Sequence, residues 1–131
     1  MQACLIKFPR STIIWLNTYF PTDPQIRTFD DSELRETLAA IKSVIEDNEH
    51  DHILWQGDIN TEFKRHSKYV EVVQEALEDL SLKSLWTAFA VDFTFCSPTD
   101  TFFSTIDHSL VSESLENSIK SLLKLIQINY G

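Results

Sequence analysis

Two runs dense in β-branched and aromatic residues, 2–7 and 11–19 (STIIWLNTY), flank Phe8-Pro9-Arg10 and predict two strands joined by a tight connection. A loop follows at Phe20–Pro24. Asp30-Asp31-Ser32 then supplies N-cap candidates ahead of Leu34, Leu38, Ile41 and Ile45, whose spacing is helical, with Glu33 and Glu36 near the positive end of the dipole. Ile53-Leu54-Trp55 is a short apolar run ending in Gly57-Asp58, the pattern of a buried strand with polar residues at its C-terminal end. A second helix is expected from about Ser67 to Leu80, with Val70, Val73, Leu77 and Leu80 on one face. The last third returns to strand character at Phe93–Cys96, at Ser104–Val111 and again at Ile119–Ile128. The resulting order, ββαβαβββ, points to an α/β or α+β layered fold, and its mixture of hairpin and crossovers argues against an all-parallel sheet.

The 131 residues fit one domain, and neither a Pro/Gly/Ser linker nor a repeat divides them. A hydrophobic content of 43% excludes disorder for most of the chain. No apolar run approaches the roughly 20 residues that cross a bilayer, and the start is too short for a secretory signal. The expectation is an intracellular protein, nuclear or cytoplasmic, with no membrane partner. Cys4 and Cys96 lie far apart in apolar extended patterns and read as buried free thiols in a reducing compartment. The net charge of −9 excludes a protein that grips nucleic acid with a broad basic surface. Phosphate chemistry on such a chain calls for a metal ion as intermediary.

Three constellations carry candidate chemistry. In Gly57-Asp58-Ile59-Asn60 the glycine lets the chain turn as the strand ends. Asp58 and Asn60 then either share a pocket, where a carboxylate and an amide orient water, or form a plain Asx turn. In Asn17-Thr18-Tyr19-Phe20-Pro21 a strand emerges into a loop through Asn17 and Tyr19. The tyrosine hydroxyl is suited to a phosphate oxygen, although for these residues taken alone a tyrosine at the core edge is the simpler account. In Ser104–Ser112 strand alternation puts His108 on the face of Ile106 and Leu110, and Asp107 on the opposite face with Ser109 and Val111. Asp107 and His108 therefore do not serve one pocket, and the residues alone favour neither.

Taken in order, these motifs and the Thr-Phe of the intervening strand span residues 12–112. The series resembles the endonuclease/exonuclease/phosphatase superfamily, and within it the apurinic-type endonuclease domain of non-LTR retrotransposons. The resemblance implies a partial four-layer α/β sandwich, a mixed sheet with flanking helices, that hydrolyses phosphodiester bonds with magnesium or manganese. It implies that Asp58 positions or deprotonates the attacking water and that Asn60 holds the scissile phosphate. Tyr19 contacts phosphate too, with Asn17 beside it on the substrate side, and Thr94 sits near the nucleic acid. Asp107 would hydrogen-bond a catalytic histidine supplied by a later Ser-Asp-His segment, fixing its tautomer. DNA is the implied substrate of the complete domain.

The chain departs from that pattern. The family's metal-binding glutamate belongs to strands ahead of residues 2–7, and the Ser-Asp-His should follow residue 131, so the expectation is one domain truncated at both ends. General acid/base catalysis is worth roughly 10²–10⁴-fold, so little or no hydrolysis is expected from these residues alone. Half a sandwich also leaves an apolar sheet face exposed and predicts self-association. Ser109, where the family has an apolar residue, suggests a less well covered strand. A non-catalytic remnant or interaction domain is the competing account, and a phosphatase or lipid phosphodiesterase the competing enzyme. Glu46–His52 reads as a solvated turn rather than a metal site, Lys64–Lys68 as a basic patch or an ordinary helix entry, and the Phe89–Phe103 aromatics mainly as core.

Overall fold

A computed structural model describes residues 1–24, 28–89 and 91–130. Its strands are β1 (Gln2–Phe8), β2 (Ser11–Tyr19), β3 (His52–Asp58), β4 (Leu82–Ser84), β5 (Phe95–Cys96), β6 (Phe103–Ser104) and β7 (Asp107–Ser112). The helices are α1 (Ser32–Glu46), α2 (Lys68–Asp79) and α3 (Glu113–Tyr130), with a 3-10 turn at Leu85–Thr87. Five strands form one sheet in the order β1-β2-β3-β7-β4, and β5 and β6 form a separate hairpin. β2 and β3 run parallel, while β1–β2, β3–β7 and β4–β7 are antiparallel, so the sheet is mixed.

Alternation along the strands sorts side chains onto two faces. On the inner face Ile14, Leu16, Ile53, Trp55 and Leu110 pack with Leu34, Leu38, Ile41 and Ile45 of α1 and Val72, Val73 and Leu77 of α2. Each such buried side chain contributes about 1.5–3 kcal/mol, which is why both amphipathic helices settle on this face. The α2 start is closed by Ser67, whose Oγ accepts from Val70 N at 3.2 Å. At α1 the cap residue Asp31 makes no side-chain cap bond; instead Asp30 accepts from Ser32 N at 3.0 Å.

Several expectations are corrected. Ile119–Ile128 is part of helix α3, not a strand. Leu115, Ile119, Leu122 and Ile126 recur at helical spacing, and Glu113 and Glu116 sit in the first turn, where the dipole favours them. α3 packs on the outer face against β3 and β7, anchored where His52 Nδ1 meets Ser114 Oγ at 2.8 Å. Cys4 is exposed and Cys96 half-buried, because β1 is an edge strand and Cys96 lies on the peripheral hairpin; both are free. Ser109 is buried, accepting from Gln56 Nε2 at 3.2 Å. Phe93, Phe95, Phe102 and Phe103 are exposed rather than core. Among the described residues no helix is long and apolar enough to cross a membrane.

Candidate functional site

The ladder itself assembles the site. Tyr19 is the register partner of Asp58 across β2–β3, and Asp58 is the partner of Asp107 across β3–β7. Three side chains far apart in sequence thus form one row across adjacent strands, on the outer face, where the strands end. Tyr19 is 73% exposed, Asp107 is exposed and Asp58 is half-buried. Asn17, two residues before Tyr19 and exposed on the same face, lies level with Gln56.

Gly57 makes this register possible. Its φ is +151°, and a Cβ there would stand 2.0 Å from the Thr18 carbonyl oxygen, so no side chain fits between β2 and β3 at that level. Beyond it the backbone does not stay extended. Asn60 adopts a left-handed conformation (φ 57°), its N–H donates to Asp58 Oδ1 at 2.8 Å, and its Nδ2 donates to the Phe20 carbonyl at 2.6 Å. Asp58 and Asn60 are therefore brought together by an Asx turn, not by strand alternation.

Burial pushes the Asp58 carboxyl above the ordinary aspartate range, and the neighbouring Asp107 charge adds to this; the Asn60 N–H and His108 pull the other way. A carboxylate with raised proton affinity is a better acceptor of a proton from water at neutral pH.

Thr94 reaches the row through backbone. Its Oγ1 accepts from Ile106 N and Asp107 N, both at 3.0 Å, so it clamps the entry of β7 to the β5–β6 hairpin. His108 points the other way, into the inner face. It is 4% exposed, donates Nε2–H to the Thr61 carbonyl at 2.8 Å and stacks on Phe63 with ring centroids 4.3 Å apart. Burial lowers its pKa, favouring the neutral ring, against the opposing pull of the Thr61 carbonyl and the Asp107 charge. Asp107 and His108 do occupy opposite faces. His50 Nδ1 meets the Asn48 carbonyl at 2.7 Å, and among the described residues no group of three or more His, Cys, Asp or Glu is placed to hold a metal. In the basic patch, Arg65 pairs with Glu62 at 4.0 Å and Lys68 with Glu71 at 3.9 Å.

The sequence reading missed the supports of the row. Trp86 Nε1 donates to the Asp107 carbonyl at 2.8 Å, and Glu62 Oε1 accepts from Thr105 N at 2.7 Å. Tyr69 Oη lies 2.7 Å from the Pro21 carbonyl and 2.9 Å from that of Ile59, tying together the two loops behind Tyr19 and Asn60. Buried Asp23 accepts from Thr61 Oγ1 at 2.6 Å and Ser67 Oγ at 3.1 Å. Asp23 and Glu62 stand just beyond Pro21 and Asn60 of two motifs, whereas nothing near Trp86 or Tyr69 in the sequence signals their part.

No protein-family model matches the chain, and no curated protein matches it. Among solved structures it superposes on the endonuclease domain of TRAS1, a telomere-specific non-LTR retrotransposon, with a TM-score of 0.61 and 16% identity over 88% of this chain. This chain has the fold of part of that domain. It spans 51% of the TRAS1 chain, about half its length. The mixed sheet with flanking helices is common to both, and identity this low carries the fold and no residue roles.

Proposed function

We propose that this chain is part of a phosphodiester hydrolase of the retroelement endonuclease type. The observation that supports the reading is the row Tyr19–Asp58–Asp107 across three adjacent strands, at the strand ends of a fold shared with the TRAS1 endonuclease domain. In this reading Asp58 orients an attacking water and takes its proton. Asn60, whose amide nitrogen gives one hydrogen to the Phe20 carbonyl, donates its second N–H to a phosphate oxygen, and the Tyr19 hydroxyl donates to the same group with Asn17 beside it. Asp107 orients an acid/base partner, and Thr94 holds Asp107 in register.

Four exposed phenylalanines on and around the β5–β6 hairpin, joined to Asp107 through Thr94, favour a nucleic acid over a phosphomonoester or a lipid headgroup. Flat aromatic surface beside a phosphate site suits stacking on bases. DNA is the substrate proposed, inside the cell, in nucleus or cytoplasm. Magnesium or manganese belongs to the reading by resemblance, but the residues present do not complete a site for it. Asp58 and Asp107 offer two carboxylates and, among the described residues, no third His, Cys, Asp or Glu joins them. Hydrolysis by this chain alone is therefore expected to be slow or absent.

The test is titration of short DNA oligonucleotides into labelled chain, followed by amide chemical shifts, alongside plasmid and abasic-site cleavage with magnesium. The expected outcome is shifts confined to Tyr19, Asp58–Asn60, Thr94 and Asp107, with at most slow cleavage that Asp58→Ala abolishes. Shifts elsewhere, together with magnesium calorimetry unchanged by Asp58→Ala, would favour a non-catalytic interaction domain instead.

A further inference from the structure

One cationic segment stands beside the row without belonging to it. Residues 64–68 hold three of the chain's 11 Lys+Arg and none of its 20 Asp+Glu, in a chain whose net charge is −9. The loop that carries them is pinned. Thr61 and Ser67, at its two ends, both donate to the buried carboxylate of Asp23, and Arg65 N closes a turn on the Glu62 carbonyl at 3.0 Å. Glu62 in turn binds Thr105 N, and Ile59 N donates to the Ile106 carbonyl at 2.9 Å, so the segment is bonded to the entry of β7 that carries Asp107. Lys64 lines one recess with Glu62, Trp86 and Thr105 at that entry.

The cations of this loop are not equally committed. Arg65 lies 4.0 Å from Glu62 and is largely covered, whereas exposed Lys68 only approaches the still more exposed Glu71 at 3.9 Å. An exposed pair of that kind is weak. Lys64 is exposed and, among the described residues, makes no ion pair. Elsewhere Lys42, Lys83 and Lys120 each pair with a glutamate, and Lys7 and Arg10 lie around the Phe8–Ser11 end of the sheet, away from Tyr19. On an acidic body, repulsion keeps a polyanion off most of the surface and directs it to where free cations are placed. Asn60 and Lys64 are separated by at most about 14 Å of chain. A strand of B-DNA presents a phosphate about every 3.4 Å of its axis, so Lys64 stands within about four nucleotides of a phosphate held at Asn60.

We propose that the loop at residues 62–68 is a second nucleic-acid contact, in which Lys64 and Lys68 hold backbone phosphates flanking the one at the row of Tyr19, Asp58 and Asp107. The proposal takes its ligand, a DNA strand, from the hydrolase reading, and its place from the charge and bonding of the loop. The contact reads no base. It adds electrostatic affinity and fixes the side of the row on which the strand runs, because the Glu62–Thr105 and Ile59–Ile106 bonds hold loop and row in one frame.

The test is binding of the full chain to a labelled short DNA duplex, followed by fluorescence anisotropy over a series of salt concentrations. Each phosphate contact adds about 0.9 to the steepness of log affinity against log salt. Lys64→Gln with Lys68→Gln is therefore expected to make that slope shallower by about 2 and to weaken binding at low salt at least about tenfold. Lys7→Gln with Arg10→Gln removes the same charge from the far end of the sheet and is expected to leave the slope unchanged. Both double variants change exposed positions only, and circular dichroism checks that each folds. Equal losses from the two overturn the proposal in favour of attraction to net charge alone. Polyglutamate binding as tightly as the duplex overturns it in favour of an acidic protein partner. A slope untouched by the loop variant, while DNA still shifts the amides of Tyr19, Asp58 and Asp107, overturns the loop contact and leaves the hydrolase reading standing. A slope that falls as expected with no shift in the row sustains the loop contact and removes that reading. A duplex that binds at no salt concentration overturns both.

Discussion

Trp55 and Trp15 sit level on neighbouring strands, one residue out of register, and their surroundings are opposite. Trp55 points to the inner face, is fully buried, contacts Phe20 and donates its indole N–H to Thr18 Oγ1 at 2.8 Å. Trp15 points to the outer face, is 38% exposed and donates its indole N–H to Gln56 Oε1 at 3.0 Å. The inner face fixes where every strand lies. The outer face, carried passively, displays Tyr19, Asp58 and Asp107. Position and chemistry are thus divided between the two sides of one sheet.

That division can be broken most severely from the inside. Trp55→Ala is expected to cost about 3–5 kcal/mol in chemical denaturation, whereas Trp15→Ala should cost under about 1 kcal/mol. Similar losses for the two would erase the contrast. Gly57→Ala comes next, at roughly 2–4 kcal/mol, because the new methyl group meets the Thr18 carbonyl and the φ of +151° is unfavourable for any L side chain. Its amide spectrum should show the β2–β3 ladder disturbed at Thr18 and Tyr19 before the rest of the sheet.

The third test uses pH. His108 has a lowered pKa because it is buried, so the unfolded chain binds its proton first as pH falls below about 6.5. Stability is therefore retained above that value and declines as pH falls from there to the lower folded-state pKa. His108→Gln should flatten this segment of a plot of denaturation midpoint against pH, and an unchanged slope would mean that the ring is not neutral in the folded state. The smallest effect belongs to the outer face. Asp58 has a raised pKa, so the folded chain binds the proton more readily and loses stability as pH rises through the window above about 3.9, a cost still present at neutral pH. Asp58→Asn keeps an acceptor for the Asn60 N–H and is expected to raise the melting temperature slightly at pH 7, with the gain vanishing in acid.

How legible was this from residues alone? The inner face was readable because burial imposes period: Leu34, Leu38, Ile41 and Ile45 are all buried on α1, and Val70, Val73 and Leu77 on α2. The strand ending at Gly57-Asp58 was readable for the same reason. Residues 119–128 were misread because a run this rich in Leu and Ile satisfies strand and helix patterns alike, and the four-three-four spacing from Leu115 is what separates them. The phenylalanines near residues 93–103 were misread because aromatic content says nothing about whether a covering layer exists. The candidate row was legible as motifs but not as geometry. That Tyr19, Asp58 and Asp107 share one level is a property of register, and the turn at Asn60, the Trp86 bond to Asp107 and the Tyr69 bridge between loops have no local pattern.

Register also fixes when the row comes into being. The β1–β2 hairpin pairs residues close in the chain and can close early, whereas Tyr19 meets Asp58, and Asp58 meets Asp107, only after intervening stretches of roughly forty and fifty residues have been gathered in. The three side chains become neighbours at the end of folding, so a probe placed on them would time the completion of the whole sheet.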